Sequence, residues 1–150
     1  MTDIHRHDPE ITGVKGLVFI GDSLLVYRRD TRTTVFPLKL DLPGGGSEPG
    51  ETPFETFRRE LQEEFGLKVS RDDITYGQKY HFGSTPPRGF GCLLATHLPV
   101  SAAADIAFGN EGLEYMLMPL EAFVKHPEAV PIFIAPIQDY LAWLAHHPKP

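Results

Sequence analysis

Cysteine is nearly missing: Cys92 stands alone in 150 residues. No intrachain disulfide can form, and no set of thiols is on offer for a zinc site. Cys92 itself reads as a small buried residue in a strand. No apolar run approaches the ~20 residues that cross a bilayer. The N-terminal stretch MTDIHRHDPE has no hydrophobic core of the kind a secretory leader needs. Positive charge is scarce as well. The 14 Lys and Arg face 20 Asp and Glu, a net charge of −6, and the longest basic run is Arg28-Arg29. Nucleic-acid backbones and anionic membranes are held by clustered cations, so neither is an expected partner. Internal repeats, heptads and biased tracts are absent. The expectation is one cytoplasmic domain over residues 1–150, with ends near 1–11 and 146–150 that fray. His5, His7, His146 and His147 are read as residues of those ends.

Glycine and proline are plentiful, at 14 each, so many loops are expected. Apolar segments at 14–20, 24–28, 38–42, 74–82, 90–97 and 115–118 read as strands. A short helix is expected at 120–125. A terminal helix is expected at 134–145, with Ile137, Tyr140, Leu141 and Leu144 on one stripe and Trp143 partly exposed. Residues 101–110 read as a loop of small residues. Strands, helix, strands and helix in that order give an α+β fold.

The sharpest local pattern lies between 52 and 66. Thr52 suits an N-cap, Pro53 the first helical position, and Glu55 completes a capping box with Thr52. Gly66 stands where a left-handed residue ends a helix. A helix over Pro53–Phe65 follows, preceded by a loop at Pro43-Gly44-Gly45-Gly46 that is not expected to form regular structure. At roughly 100° per residue, Phe54, Phe57, Leu61 and Phe65 fall on one stripe, which faces the core. Glu60, Glu63 and Glu64 share a second stripe, about 110° away. Like charges so placed repel. A hard divalent cation with oxygen ligands relieves that repulsion, and a diphosphate supplies further oxygens.

Gly45, five residues, Glu51, seven residues, then Arg59-Glu60-Leu61-Gln62-Glu63-Glu64-Phe65-Gly66-Leu67 make a complete signature. Its chance occurrence in a chain of this length is on the order of 10⁻⁷. The pattern resembles the box of the Nudix hydrolases, the MutT-like superfamily. That resemblance implies an α/β/α sandwich with a mixed sheet and a Mg²⁺-dependent pyrophosphohydrolase, with Mn²⁺ as an alternative ion. The substrate implied is a nucleoside diphosphate linked to another moiety. The resemblance also implies a metal set of Gly45 (through its carbonyl), Glu60, Glu63 and Glu64. Glu51 braces the loop, and Arg59 orients a carboxylate. The general base is left among Glu63, Glu64 and a later loop glutamate, where Glu114 is favoured over Glu111 because it directly precedes an apolar strand. Arg28, Tyr80, Phe82 and Arg88 are the substrate-binding candidates. One departure precedes the box: Leu40 stands where many members carry Trp. A homodimer is compatible with the family. The alternative reading is a silent sensor of nucleotide-sugars or ADP-ribose.

Overall fold

The computed structural model describes residues 1–81 and 89–147. Seven strands, Ile11–Ile20 (β1), Ser23–Arg29 (β2), Leu40–Asp41 (β3), Gly44–Gly46 (β4), Ile74–His81 (β5), Phe90–Leu98 (β6) and Gly112–Met118 (β7), form one sheet. The main path runs β3-β2-β1-β6-β5, with β4 beside β1 and β7 beside β2. β1 and β6 are parallel, in register from Val14↔Cys92 to Ile20↔Leu98, and the other pairings are antiparallel. The sheet is therefore mixed. Among the described residues three α-helices, Pro53–Phe65 (α1), Leu120–Val124 (α2) and Ile134–His146 (α3), flank it.

The alternation of β1 sorts the two faces. Val14, Val18 and Ile20 join Phe54, Phe57, Leu61 and Phe65 of α1 in one buried cluster. Leu17 and Phe19 join Phe123 of α2 and Ile137 and Tyr140 of α3 in the other. This makes the expected α/β/α sandwich. A Cβ on Gly16 would collide with the Phe57 ring, so the glycine lets α1 lie close on the sheet. Leu141, assigned to the inner stripe of α3, is 40% exposed. Cys92 is fully buried in β6, as expected.

Four segments depart from the sequence reading, among them 101–110, where Val100–Asp105 forms a 3₁₀ helix. Gly44–Gly46 forms a short strand against β1, with Val14 opposite Gly45. Its pairing energy comes from a distant strand, which a local reading of glycines does not register. The strand expected at 38–42 shrinks to Leu40–Asp41 because Phe36 (φ 49) and Leu38 (φ 62) turn the chain through the left-handed region. Residues 1–10, expected to fray, are packed: Ile4 is buried, and Thr2 N–H donates to the Gly77 carbonyl at 3.1 Å. Among the described residues, no helix is long and apolar enough to cross a membrane.

Candidate active site

α1 has the ends its sequence specifies. The Glu55 N–H donates to Thr52 Oγ1 at 3.1 Å, and the Thr52 N–H donates to Glu55 Oε1 at 2.9 Å. Gly66 closes the helix in the left-handed conformation (φ 66), its N–H donating to the Gln62 carbonyl. The helix is thus set in length and rotation, and its carboxylates follow.

Oxygens of Glu60, Glu64 and Glu111 lie within 4.8 Å of one another. Glu64 is 3% exposed and accepts the Gly44 N–H at 2.9 Å. Burial pushes its carboxyl up to about 8, only partly opposed by the Gly44 hydrogen bond and by Lys15. Burial also raises Glu60, against the pull of Arg59. Gly45 packs directly on this cluster, since an added Cβ would stand 2.6 Å from the Glu60 carboxyl carbon.

Arg59 ties the loop to the helix. Its Nε and one terminal nitrogen reach the two oxygens of Glu51, both at 2.9 Å. That same terminal nitrogen donates to the Gly46 carbonyl at 2.9 Å. The other terminal nitrogen donates to Glu60 at 2.9 Å and to Glu63 at 3.3 Å. Glu51 also accepts the Glu48 N–H and the Thr56 hydroxyl. Arg59 above all, with these donors, holds its carboxyl down at about 2.

The remaining candidates spread out. Glu63 sits at the rim of the cluster, its side chain 52% exposed beside Arg59. Glu114 lies across from Arg28 in the β2–β7 register, 60% exposed, with the guanidinium 4.0 Å away. Arg28 is engaged by the Leu38 carbonyl and Glu128 as well. Tyr80 lines a cleft of about 300 Å³ beside Gly45 and Gly46. Phe82 and Arg88 lie outside the described residues.

Glu111, ranked behind Glu114 on sequence, is brought to the cluster by a loop that caps α1. The Ala107 N–H donates to the Phe65 carbonyl and the Gly109 N–H to the Glu64 carbonyl, each at 2.8 Å. Arg32 donates to the Asn110 carbonyl. A second residue escaped the sequence reading altogether: Lys15 of β1 lines the cleft and pairs with the buried Asp41 at 3.0 Å. Its one signal was a charge inside an apolar strand.

Known proteins can be set beside this geometry. A NUDIX domain model matches residues 11–139. Nucleoside triphosphatase NudI of Enterobacter sp. (strain 638) is 38% identical over 86 residues, 51% of this chain and 59% of that protein. The NudI of Salmonella arizonae is 47% identical over 55 residues, 37% of this chain and 38% of its own length. The match thus spans less than two thirds of these curated relatives. Among solved structures, a MutT protein from Methanosarcina mazei Go1 superposes with a TM-score of 0.75 at 23% identity, over 95% of this chain and 99% of that one. That likeness concerns the fold. The family model, covering most of the chain from β1 into α3, shows that this protein belongs to the NUDIX domain family.

Proposed function

We propose that this chain is a divalent-cation-dependent pyrophosphohydrolase acting on a nucleoside diphosphate linked to a further group. The observation that carries the reading is the convergence of Glu60, Glu64 and Glu111 within 4.8 Å against a glycine with no room for a side chain. Three carboxylates so close, one of them buried, are costly unless a cation shares them. The donor set is all oxygen, which suits Mg²⁺ or Mn²⁺ and does not suit zinc. The residues therefore fit the ion that the family generally uses.

Glu60, Glu64 and Glu111 would hold the cation, with the Gly45 carbonyl as the proposed backbone ligand. When bound, such an ion polarises phosphoryl oxygens and acidifies water. Arg59 fixes the Glu60 carboxylate and, through Glu51 and the Gly46 carbonyl, the loop that carries Gly45. Glu63 is exposed at the rim of the cluster and is our candidate for accepting the proton of the attacking water. It is paired with Arg59 at 3.3 Å. Glu114 is oriented by Arg28 on a neighbouring strand and is assigned no step. The cleft next to Gly45 and Gly46, lined by Tyr80 and Phe133, is of a size to receive the nucleoside.

The relatives' name puts nucleoside triphosphates first in a substrate panel, followed by nucleotide-sugars, dinucleotides and ADP-ribose. Turnover with Mg²⁺ or Mn²⁺, abolished by a chelator, is expected. Glu60→Gln and Glu64→Gln should each lower kcat by about a hundredfold or more while the thermal unfolding profile stays cooperative. Full activity in both variants would sink the assignment. Tight nucleotide binding with no turnover on any substrate would point instead to a sensor.

A further inference from the structure

Lys15 is the one charged side chain among the described residues that line the cleft beside Gly45. It stands on the β1 face that also carries Leu17 and Phe19, so the chain places an ammonium at the end of an apolar row. That ammonium is held, not loose. Nζ donates to Asp41 Oδ2 at 3.0 Å and to the Leu42 carbonyl at 3.2 Å. A lysine has three N–H donors and no acceptor, which leaves one donor beyond these two bonds.

Asp41 is the anchor and nothing more. It is fully buried. Its Oδ2 takes the Tyr27 hydroxyl at 3.1 Å and Arg29 at 2.6 Å besides Lys15, and its Oδ1 takes the Leu42 N–H at 2.7 Å. With four donors from the protein on one fully buried carboxylate, Asp41 is committed inside the fold and presents no exposed oxygen to a ligand. Lys15 is therefore rigid, donor-only and set among apolar groups, with the Phe133 ring centroid 5.9 Å from Nζ. The surroundings suit a flat ring, and the polar contact offered to that ring is a donor.

Resting on the nucleotide reading above, we propose that Lys15 is a specificity residue: it selects nucleobases that present a carbonyl oxygen over those that present an amine at the same position. A carbonyl accepts its remaining N–H. An exocyclic amine would set donor against donor inside a desolvated cleft, and unpaired polar groups there discriminate strongly.

The test is binding of nucleoside monophosphates to the intact chain by titration calorimetry, without metal, in matched pairs: dUMP against dCMP, and IMP against AMP. Wild type is expected to favour the keto base in each pair by about tenfold or more. Lys15→Met keeps the apolar stem and leaves Asp41 its other three donors; its preference should fall to about twofold or less. Lys15→Arg retains donors and should retain the preference. Equal affinity within both wild-type pairs, absence of binding, or an equal loss for both bases in Lys15→Met would overturn the proposal. The wild-type ratio is decisive even if Lys15→Met does not fold. Base preference without hydrolysis of any nucleotide in Mg²⁺ would defeat the hydrolase reading and leave Lys15 standing. Hydrolysis without base preference would do the reverse.

Discussion

Glu64 carries the largest electrostatic strain in the proposed site. It is buried, and the like charges that press on it, Glu60 and Glu111, belong to the same cluster. Its carboxyl ionises near 8 in the folded chain against 4.5 when unperturbed. The folded state thus holds a proton that the unfolded state has released between those two values, so without metal its contribution to stability falls as pH rises through that window. Below about 4.5 both states are protonated and there is no penalty. Glu64→Gln removes this titration. In chelator, wild type should lose on the order of 2–4 kcal/mol of unfolding free energy relative to Glu64→Gln between pH 5 and pH 8. Urea unfolding at both pH values measures it. Parallel pH profiles for the two proteins would mean that Glu64 is not the strained group. Glu51 behaves with the opposite sign. Held near 2 by Arg59, it stabilises above the ordinary carboxylate range and loses that contribution only in acid.

At the scale of elements, α1 was legible end to end because its stop signals are local. Thr52, Pro53, Glu55 and Gly66 each act within one turn, and all perform the expected role. Gly66 does two jobs: it adopts φ 66, and a Cβ there would come 3.0 Å from the Ala107 Cβ, in the loop that brings Glu111 in. Gly66→Ala is therefore expected to cost about 1–2 kcal/mol, more than the usual price of a left-handed alanine, and to loosen the loop. Faster amide exchange at Ala107 and Gly109, beyond that of α1 itself, is the readout. A loss confined to the helix terminus would show that the loop is held independently. The same contrast explains what could not be read in advance. Choosing between Glu111 and Glu114 depends on two loop amides meeting the carbonyls of Glu64 and Phe65, a tertiary contact. The strand at Gly44–Gly46 exists only because β1 is alongside. Lys15 gave no pattern to match, since its meaning comes from Asp41, 26 residues away.

The whole molecule is closed by its first ten residues, whose place at the end of the chain argued for a loose segment. Their anchoring is a set of contacts to two remote elements. On β5, Thr2 pairs with the Gly77 carbonyl and accepts the Lys79 N–H at 2.8 Å, while Lys79 Nζ reaches Asp8 at 2.8 Å and Glu10 at 2.7 Å. At the start of α1, the Ile4 carbonyl accepts the Phe54 N–H at 3.0 Å, and in the loop just before it His7 Nδ1 meets the Glu51 carbonyl at 3.0 Å. The first bond satisfies one of the amides that every helix leaves open at its start. Ile4 itself fills the space over Gly77, where an added Cβ would collide with it. This segment therefore bridges the sheet edge and the start of the helix that bears the acidic cluster. Removing residues 2–7 gives up the burial of Ile4 and several hydrogen bonds, less the entropy regained. A net loss of about 2–4 kcal/mol is expected. Gly77→Ala, which leaves the chain intact and displaces only Ile4, should reproduce a large part of it. In both variants the Phe54 and Lys79 amides should exchange faster while those of Val18 and Leu94, in the centre of the sheet, keep their rank order of protection. If truncation leaves unfolding free energy and the Phe54 amide unchanged, the segment is a passenger on the surface and the bridge between β5 and α1 has no energetic role.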